Sequence, residues 1–325
     1  MQIAFAGNTS AVYYCLEKLC RAGFNVAAVI IPEMNSGKAL DIADFNSLAG
    51  EFDFRQIKLP LKSDAKNISQ IDILIKLEWP DNQAIPIIPK IAVLGSNLKG
   101  QYAKEFLTDV AADIYNGKSQ FESQLILEYA NEHDKNNPQI ETVKNQSKVI
   151  SFSEVEINIF DDVRSIKTKT LANYYWHLLK LLNKIKNGGK ILEPLSKEIY
   201  FNNIKVAGNI NWNHSTNKIY NLVRSLTHPV NGAYTNYEGS RITIWRGHHF
   251  EMTNSEFEDI APGTVVDILN EIGVLVKAGD GLFLITRIQP AGMPELPAWV
   301  WADYAHVRPF EVFEKIKEDI PAVRV

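Results

Sequence analysis

Residues 207–247 read AGNINWNHSTNKIYNLVRSLTHPVNGAYTNYEGSRITIWRG, and this stretch decides how the chain is divided. Ile210 and Trp212 form a short apolar alternation, closed by Asn213 and His214. Ser215 or Thr216 can then cap a helix whose apolar residues Ile219, Leu222, Val223 and Leu226 follow the i, i+3, i+4, i+7 spacing. Thr227-His228-Pro229 stops that helix, because proline disfavours helical geometry in the residue before it. Asn231-Gly232 makes a turn. Ala233 to Trp245 then predicts a hairpin split by Glu238-Gly239-Ser240.

Upstream, the apolar run Gln2 to Ala6 ends at Gly7-Asn8-Thr9-Ser10. A helix carrying Val12, Leu16, Leu19 and Cys20 inward stops at Gly23, and Val26 to Ile31 forms a second buried strand. This β-α-β opening belongs to a parallel sheet covered by helices. A lone glycine after the first strand is no dinucleotide fingerprint, and Gly37-Lys38 lacks the rest of a P-loop. Ile71 to Leu77 is another buried strand, followed by Glu78-Trp79-Pro80-Asp81; a tryptophan there can flank a pocket or simply fill core. After Ile91 to Gly100 come a helix from Ala103 to about Ile114 and a strand from Gln124 to Tyr129. Phe152 to Ile157 alternates as a strand, and a long helix runs from Val163 to Lys186 with Leu171, Tyr175, Leu178, Leu179 and Leu182 as its core face. Downstream of the quoted stretch, Ala261 to Val266, Gly273 to Gly281 and Leu282 to Ile288 are short strands with glycine turns, which predict a small β-barrel.

With 325 residues, 46% of them hydrophobic, the chain can bury a large core and is expected to form two domains. A net charge of -4 provides no basic field for tRNA or DNA. Cys15 and Cys20 share one predicted helix but point to different parts of its circumference, so buried thiols in a reducing compartment are expected. No apolar run reaches the ~18 residues of a membrane helix. Met1-Gln2-Ile3 leads straight into a strand, so a cytoplasmic protein without a membrane partner is expected. His248-His249 has no third ligand beside it, and adjacent strand residues point to opposite faces, so no metal site is expected.

The residue string of the central stretch carries more than its periodicity. I-x-W at Ile210 and Trp212 is followed by Ile219, Asn221, Val223, Arg224 and Ser225 on the helix. Pro229, the G-A-Y-T of Gly232 to Thr235 and the closing Ile244-Trp245 complete it. In this the chain resembles the junction between domains of the 10-formyltetrahydrofolate-dependent formyltransferases, the family of methionyl-tRNA formyltransferase and the amino-sugar N-formyltransferases. Phe5 and Gly7 fit the family's opening F-x-G-(T/S), with Thr9 one place past its fourth position, and P-G-T-V at Pro262 to Val265 with Gly279-Asp280-Gly281 fits its C-terminal domain. The resemblance implies an α/β domain over 1–206, with a doubly wound, mostly parallel sheet, and a small OB-like barrel over 207–325. Arg224 and its helix are expected to pack at the junction.

The same resemblance implies 10-formyltetrahydrofolate as cofactor, held near Glu78, Trp79 and Ser96, and Asp134 as a catalytic aspartate after the Gln124 strand. The pocket is expected at the C-terminal ends of the parallel strands, bordered by residues 78–83, 94–97 and 129–134. The chain departs from the family at Ile91 to Gly100. The family places an asparagine and a histidine there to stabilise an oxyanion and handle a proton; this chain has Ala92 and Leu94, which can do neither. Two readings follow. One is N-formyl transfer to an amine on a small molecule such as a nucleotide-linked amino sugar. The other is a formyltransferase-fold binding or scaffolding module that has lost the reaction. A nucleic-acid-binding module is disfavoured by charge, and a homodimer is compatible with either reading.

Overall fold

In a computed structural model the protein is described over residues 1–33, 42–59, 71–77, 79, 91–95, 104–128, 148–189, 195, 206–250 and 257–314. Its contacts fall into two compact units. Met1–Asp109, Gln120–Ile157 and Ser165–Asn203 form the first; Val110–Ser119, Asn158–Arg164 and Ile204–Val325 form the second.

The first unit is built on a seven-stranded sheet of order β3-β2-β1-β4-β5-β6-β7. Its elements are β1 (Ile3–Ala6), α1 (Ser10–Arg21), β2 (Val26–Ile31), α2 (Asn46–Phe52), β3 (Arg55–Lys58), β4 (Ile73–Lys76) and β5 (Ile91–Gly95). They are followed by α3 (Lys104–Tyr115), whose residues from Val110 belong to the second unit, β6 (Gln120–Glu128), β7 (Lys148–Glu156) and α4 (Val163–Lys186), which enters the first unit at Ser165. The first five strands run parallel, and β6 and β7 are antiparallel to their neighbours. The chain winds from β1 to β3 on one side, then crosses back to place β4 on the other side of β1. The sheet is therefore doubly wound and mostly parallel.

Two-residue alternation explains why β1 is apolar throughout. Ile3 and Phe5 enter one core with the α1 residues Val12, Cys15, Leu16 and Leu19, while Ala4 and Ala6 enter another with Ala28, Ile30 and Leu74. Helix α4 closes the first core with Leu171, Tyr174, Leu178, Leu181 and Leu182. Its buried stripe lies slightly round from the expected one: Tyr175 and Leu179 are only partly buried, because Tyr174 and Leu181 take the inner positions. Cys15 and Cys20 are buried thiols, not a disulfide.

The second unit holds α5 (Thr216–Leu226), β8 (Ala233–Tyr237), β9 (Ser240–Phe250), β10 (Val265–Leu269), β11 (Gly273–Lys277), β12 (Leu282–Pro290), β13 (Leu296–Pro297) and α6 (Ala298–Tyr304). Ser215 is the N-cap of α5 and accepts from the Lys218 amide. A second cap comes from far along the chain: Asp280 Oδ1 accepts from the Thr216 amide at 2.6 Å. Glu238 and Gly239 both lie at positive φ, as a two-residue turn matched to strand twist requires. The antiparallel sheet has the order β10-β11-β12-β9-β8, with β13 on β12. Its outer strands do not remain open. The Phe310 amide donates to Val265 O on β10 (2.7 Å) and the Glu314 amide to Asn236 O on β8 (2.9 Å), so one short strap is bonded to both edges. Trp212, Phe283, Trp301 and Phe313 fill the interior, with Trp212 and Phe313 stacked at 5.7 Å.

Candidate functional site

The reversal of strand order between β1 and β4 leaves their carboxyl ends adjacent, with the following segments departing in different directions, and this is where open α/β sheets form a ligand crevice. Here the two strand ends are drawn tightly together. Leu77 N donates to Ala6 O (3.1 Å) and Gly7 N to Ile30 O (2.9 Å). Gly7 has φ +137, and a Cβ there would lie 2.4 Å from Leu77 O and 2.6 Å from Val12 Cγ2. Only glycine fits such an approach. Thr9 follows as the N-cap of α1 but makes no capping bond with its side chain. Its hydroxyl is buried and has no partner among the described residues. A polar atom buried in this way at a helix N-terminus and a strand crossover is what a bound polar group would satisfy.

Trp79 is 5% exposed and packs with Ala4, Ala6, Ala28 and Leu74, where small residues on the sheet make room for an indole. Glu78, Ser96 and Asp134 lie outside the described residues. Strand β5 places Ala92 beside Leu74 and Leu94 beside Lys76 on β4, so the two residues standing where the family has donors are in a strand next to the crossover. One expectation is corrected. Residues 129–134 were expected to follow a parallel strand, but β6 runs antiparallel to β5, with Ala92 opposite Glu128 and Gly95 opposite Leu125. The carboxyl end of β6 is therefore aligned with the start of β5. Sequence periodicity reports which face a strand buries but not its direction, so no local signal marked this.

Sequence reading also missed a polar cluster under α4. Ser151 Oγ lies 2.5 Å from His177 Nδ1. Beside it, Ser123 and Ser153 face each other across β6 and β7, and their buried hydroxyls have no partner among the described residues. Burial, and then the nearby Lys180, lower the His177 pKa. Serine against a neutral imidazole is a nucleophile-base pairing in form. No carboxylate among the described residues is bonded to the ring, so its evident work is to tie α4 to β7.

Arg224 is the residue of the central stretch with the densest polar contacts. Its Nη1 donates to Asn158 O (2.8 Å) and Asp161 O (2.7 Å), and its Nε to Asn221 Oδ1 (2.9 Å). Tyr220, one turn earlier, donates to Ile159 O at 2.7 Å. Together these hold the turn before α4 against α5, all within the second unit.

Residues 203–305 match the family described as formyl transferase, C-terminal domain. The methionyl-tRNA formyltransferase of Halothermothrix orenii is 30% identical over 154 residues, covering 46% of this chain and 48% of that protein. Over this C-terminal part the chain is similar to the formyltransferases. The methionyl-tRNA formyltransferase of Clostridium beijerinckii is 35% identical over 121 residues, 36% of this chain and 37% of that one. The chain spans about half the length of the curated relatives it matches, or less. Among solved structures, HypX from Aquifex aeolicus in complex with tetrahydrofolic acid has a TM-score of 0.59 at 14% identity, covering 98% of this chain and 50% of HypX. The N-formyltransferase from Helicobacter canadensis, in complex with folinic acid and dTDP-3-aminofucose, has a TM-score of 0.55 at 14% identity, covering 87% of this chain and 98% of that one. At these identities the likeness is one of fold. No helix among the described residues is long and apolar enough to cross a membrane.

Proposed function

We propose that this chain binds a reduced folate, 10-formyltetrahydrofolate, at the β1/β4 crossover. On this reading its reaction is N-formyl transfer to an amine on a small molecule such as a nucleotide-linked amino sugar. The observation that supports this most is the crossover itself: a doubly wound sheet with a glycine-only approach at Gly7 and an unpartnered buried hydroxyl at Thr9. Glu78, Trp79 and Ser96 are proposed to hold the folate, with Asp134 as the catalytic aspartate. The neighbouring fold that carries both folinic acid and a nucleotide-linked amino sugar supports the choice of substrate class. We propose residues 1–206 and 207–325 as its two domains, working in the cytoplasm.

One observation favours a second reading. Amine attack on a formyl carbon builds negative charge on oxygen, and removing a single oxyanion donor typically costs ~10² to 10³ in rate. Ala92 and Leu94 offer no donor, so a folate-binding or scaffolding module with transfer impaired is the alternative. Two measurements separate these. A folate that binds the native state raises the melting temperature with the logarithm of its concentration over Kd; no shift at millimolar folate would sink the folate-binding reading. Turnover of 10-formyltetrahydrofolate with a panel of amines then distinguishes enzyme from binder. The double variant Ala92→Asn with Leu94→His is expected to gain activity over the unmodified chain, and ordinary enzymatic turnover without those changes would overturn the second reading.

A further inference from the structure

Asparagine precedes glycine at Asn116-Gly117, Asn187-Gly188 and Asn231-Gly232, and all three glycines lie at positive φ. A following glycine leaves the asparagine carboxamide open to one reaction. The glycine nitrogen attacks asparagine Cγ, a C–N bond forms, and the Cγ–Nδ2 bond breaks as ammonia leaves with the amide proton. Water then opens the resulting succinimide at either carbonyl, leaving aspartate or isoaspartate. The attacking nitrogen must be free and the asparagine out of helical geometry, so a hydrogen bond donated by the glycine amide blocks the step. In the folded protein all three amides are bound. Gly117 N donates to Ile114 O (3.0 Å), Gly188 N to Ile185 O (3.0 Å) and Gly232 N to Leu226 O (2.8 Å). What separates the sites is how much structure must open to free the nitrogen.

At Asn231 the opening is large. Gly232 is buried, and a Cβ on it would lie 2.2 Å from Thr243 Cγ2 and 3.1 Å from the Trp245 ring. The chain then pairs at once as β8, with Ala233 against Ile244. Asn116 and Asn187 each end a helix in the same way. Gly117 and Lys118 donate to Ile114 O and Asp113 O, and Gly188 and Gly189 to Ile185 O and Lys184 O, the two bonds of a left-handed glycine cap. The α3 cap is clamped. Lys118 Nζ lies 2.8 Å from Asp113 Oδ1, whose side chain is 1% exposed, so opening would take this cation from a buried carboxylate. Tyr115 is pinned too, by Lys218 Nζ 3.7 Å over its ring. The α4 cap has less. Leu181 and Leu182 are the last fully buried residues of that helix, Ile185 is partly buried, and Asn187, Gly188 and Gly189 are exposed. Lys186 Nζ, 5.6 Å from the Phe24 ring, is near the limit of cation–π reach. A Cβ at Gly188 would meet nothing within 4 Å. A helix end held by so little frays at small cost.

We propose that Asn187 is a site of spontaneous deamidation, converting ahead of Asn116 and Asn231 while the protein is folded. The new carboxylate sits at the C-terminal end of α4, where the helix dipole is negative and an anion is disfavoured. Isoaspartate also adds a backbone carbon, which breaks the register of the Gly188 and Gly189 bonds. Modification therefore loosens the end of a helix that closes the first core, and the proposal is independent of the folate reading. The test incubates the full chain at mildly alkaline pH, in buffer and in urea, and follows each asparagine by peptide mass mapping. In buffer the peptide holding Asn187 should gain the mass of the amide-to-acid exchange several-fold faster than the other two. In urea every glycine nitrogen is free and the three rates should converge. Lys118→Met releases the α3 cap and should raise the Asn116 rate in buffer relative to that of Asn187. Faster conversion of Asn116 or Asn231 in buffer, no conversion of Asn187 there, an unchanged ratio in Lys118→Met, or the same order of rates persisting in urea would overturn the proposal.

Discussion

Gly7 and Gly23 both sit at positive φ, +137 and +80, yet they are not equivalent. At Gly23 a Cβ meets nothing within 4 Å, so Gly23→Ala should cost only left-handed strain of about 1–2 kcal/mol. At Gly7 the same atom also runs into Leu77 O and Val12. Gly7→Ala should therefore lower the urea midpoint clearly more than Gly23→Ala; equal losses would mean the strands are not so close at the crossover. His177 sets an acid sensitivity. Its folded pKa lies below that of an unfolded imidazole, ~6.5. As pH falls through that window the unfolded chain takes up the proton first, so this residue's contribution is complete above ~6.5 and shrinks below it. The melting temperature should drop between pH 7.5 and 5, and His177→Gln should flatten that dependence. Identical slopes for the two proteins would contradict this. The identity of each residue was legible in the sequence, but the Ser151–His177 pairing was not, because 26 residues separate the partners and neither has a distinctive neighbour.

Among elements, α5 was the most legible and the strands around β6 the least. The i, i+3, i+4, i+7 spacing, Ser215 as cap and Pro229 as stop agree on one helix, and the helix runs Thr216–Leu226 as they dictate. Sequence spacing gave no hint that Asp280 would supply its second cap from 64 residues away. Helix α2 and strand β3 escaped notice because they are short and because Arg55-Gln56-Ile57-Lys58 has a single apolar residue, as an edge strand tolerates. What α5 does beyond packing rests on Arg224. Arg224→Ala removes three donated bonds, two of them partly buried, and should cost about 2 kcal/mol in chemical denaturation, in the range for bonds to a charged group. Arg224→Lys should recover less than half of that, since a point ammonium cannot span the Asn158 and Asp161 carbonyls together with Asn221. Full recovery by lysine would show that charge alone, not the planar fork, is what holds the turn.

For the whole molecule, the second unit depends on its final strap. Phe313 is 1% exposed between Trp212 and Trp301, and its neighbours bond to both outer strands. Phe313→Ala should cost about 3–5 kcal/mol, as large-to-small changes at buried aromatics do. The near-ultraviolet signal of the packed tryptophans should melt earlier with it; an unchanged transition would mean the strap is dispensable. By itself the sequence determined the parallel opening of the first sheet, the helix-hairpin of the second unit and the formyltransferase likeness of the C-terminal part, because each is written in short-range periodicity, glycine and proline placement, or a dense local string. It also marked Ala92 and Leu94 as residues without donors. Only the tertiary structure decided the antiparallel direction of β6, the strap that joins β10 to β8, the capping of α5 by Asp280 and the meeting of the His248 and His249 imidazoles at the Tyr220 ring. The physical reason is common to all four. Strand direction, edge closure and side-chain encounter depend on pairings between residues far apart in the chain, and a bulge or a close glycine can turn a side chain to the face that local alternation denies it.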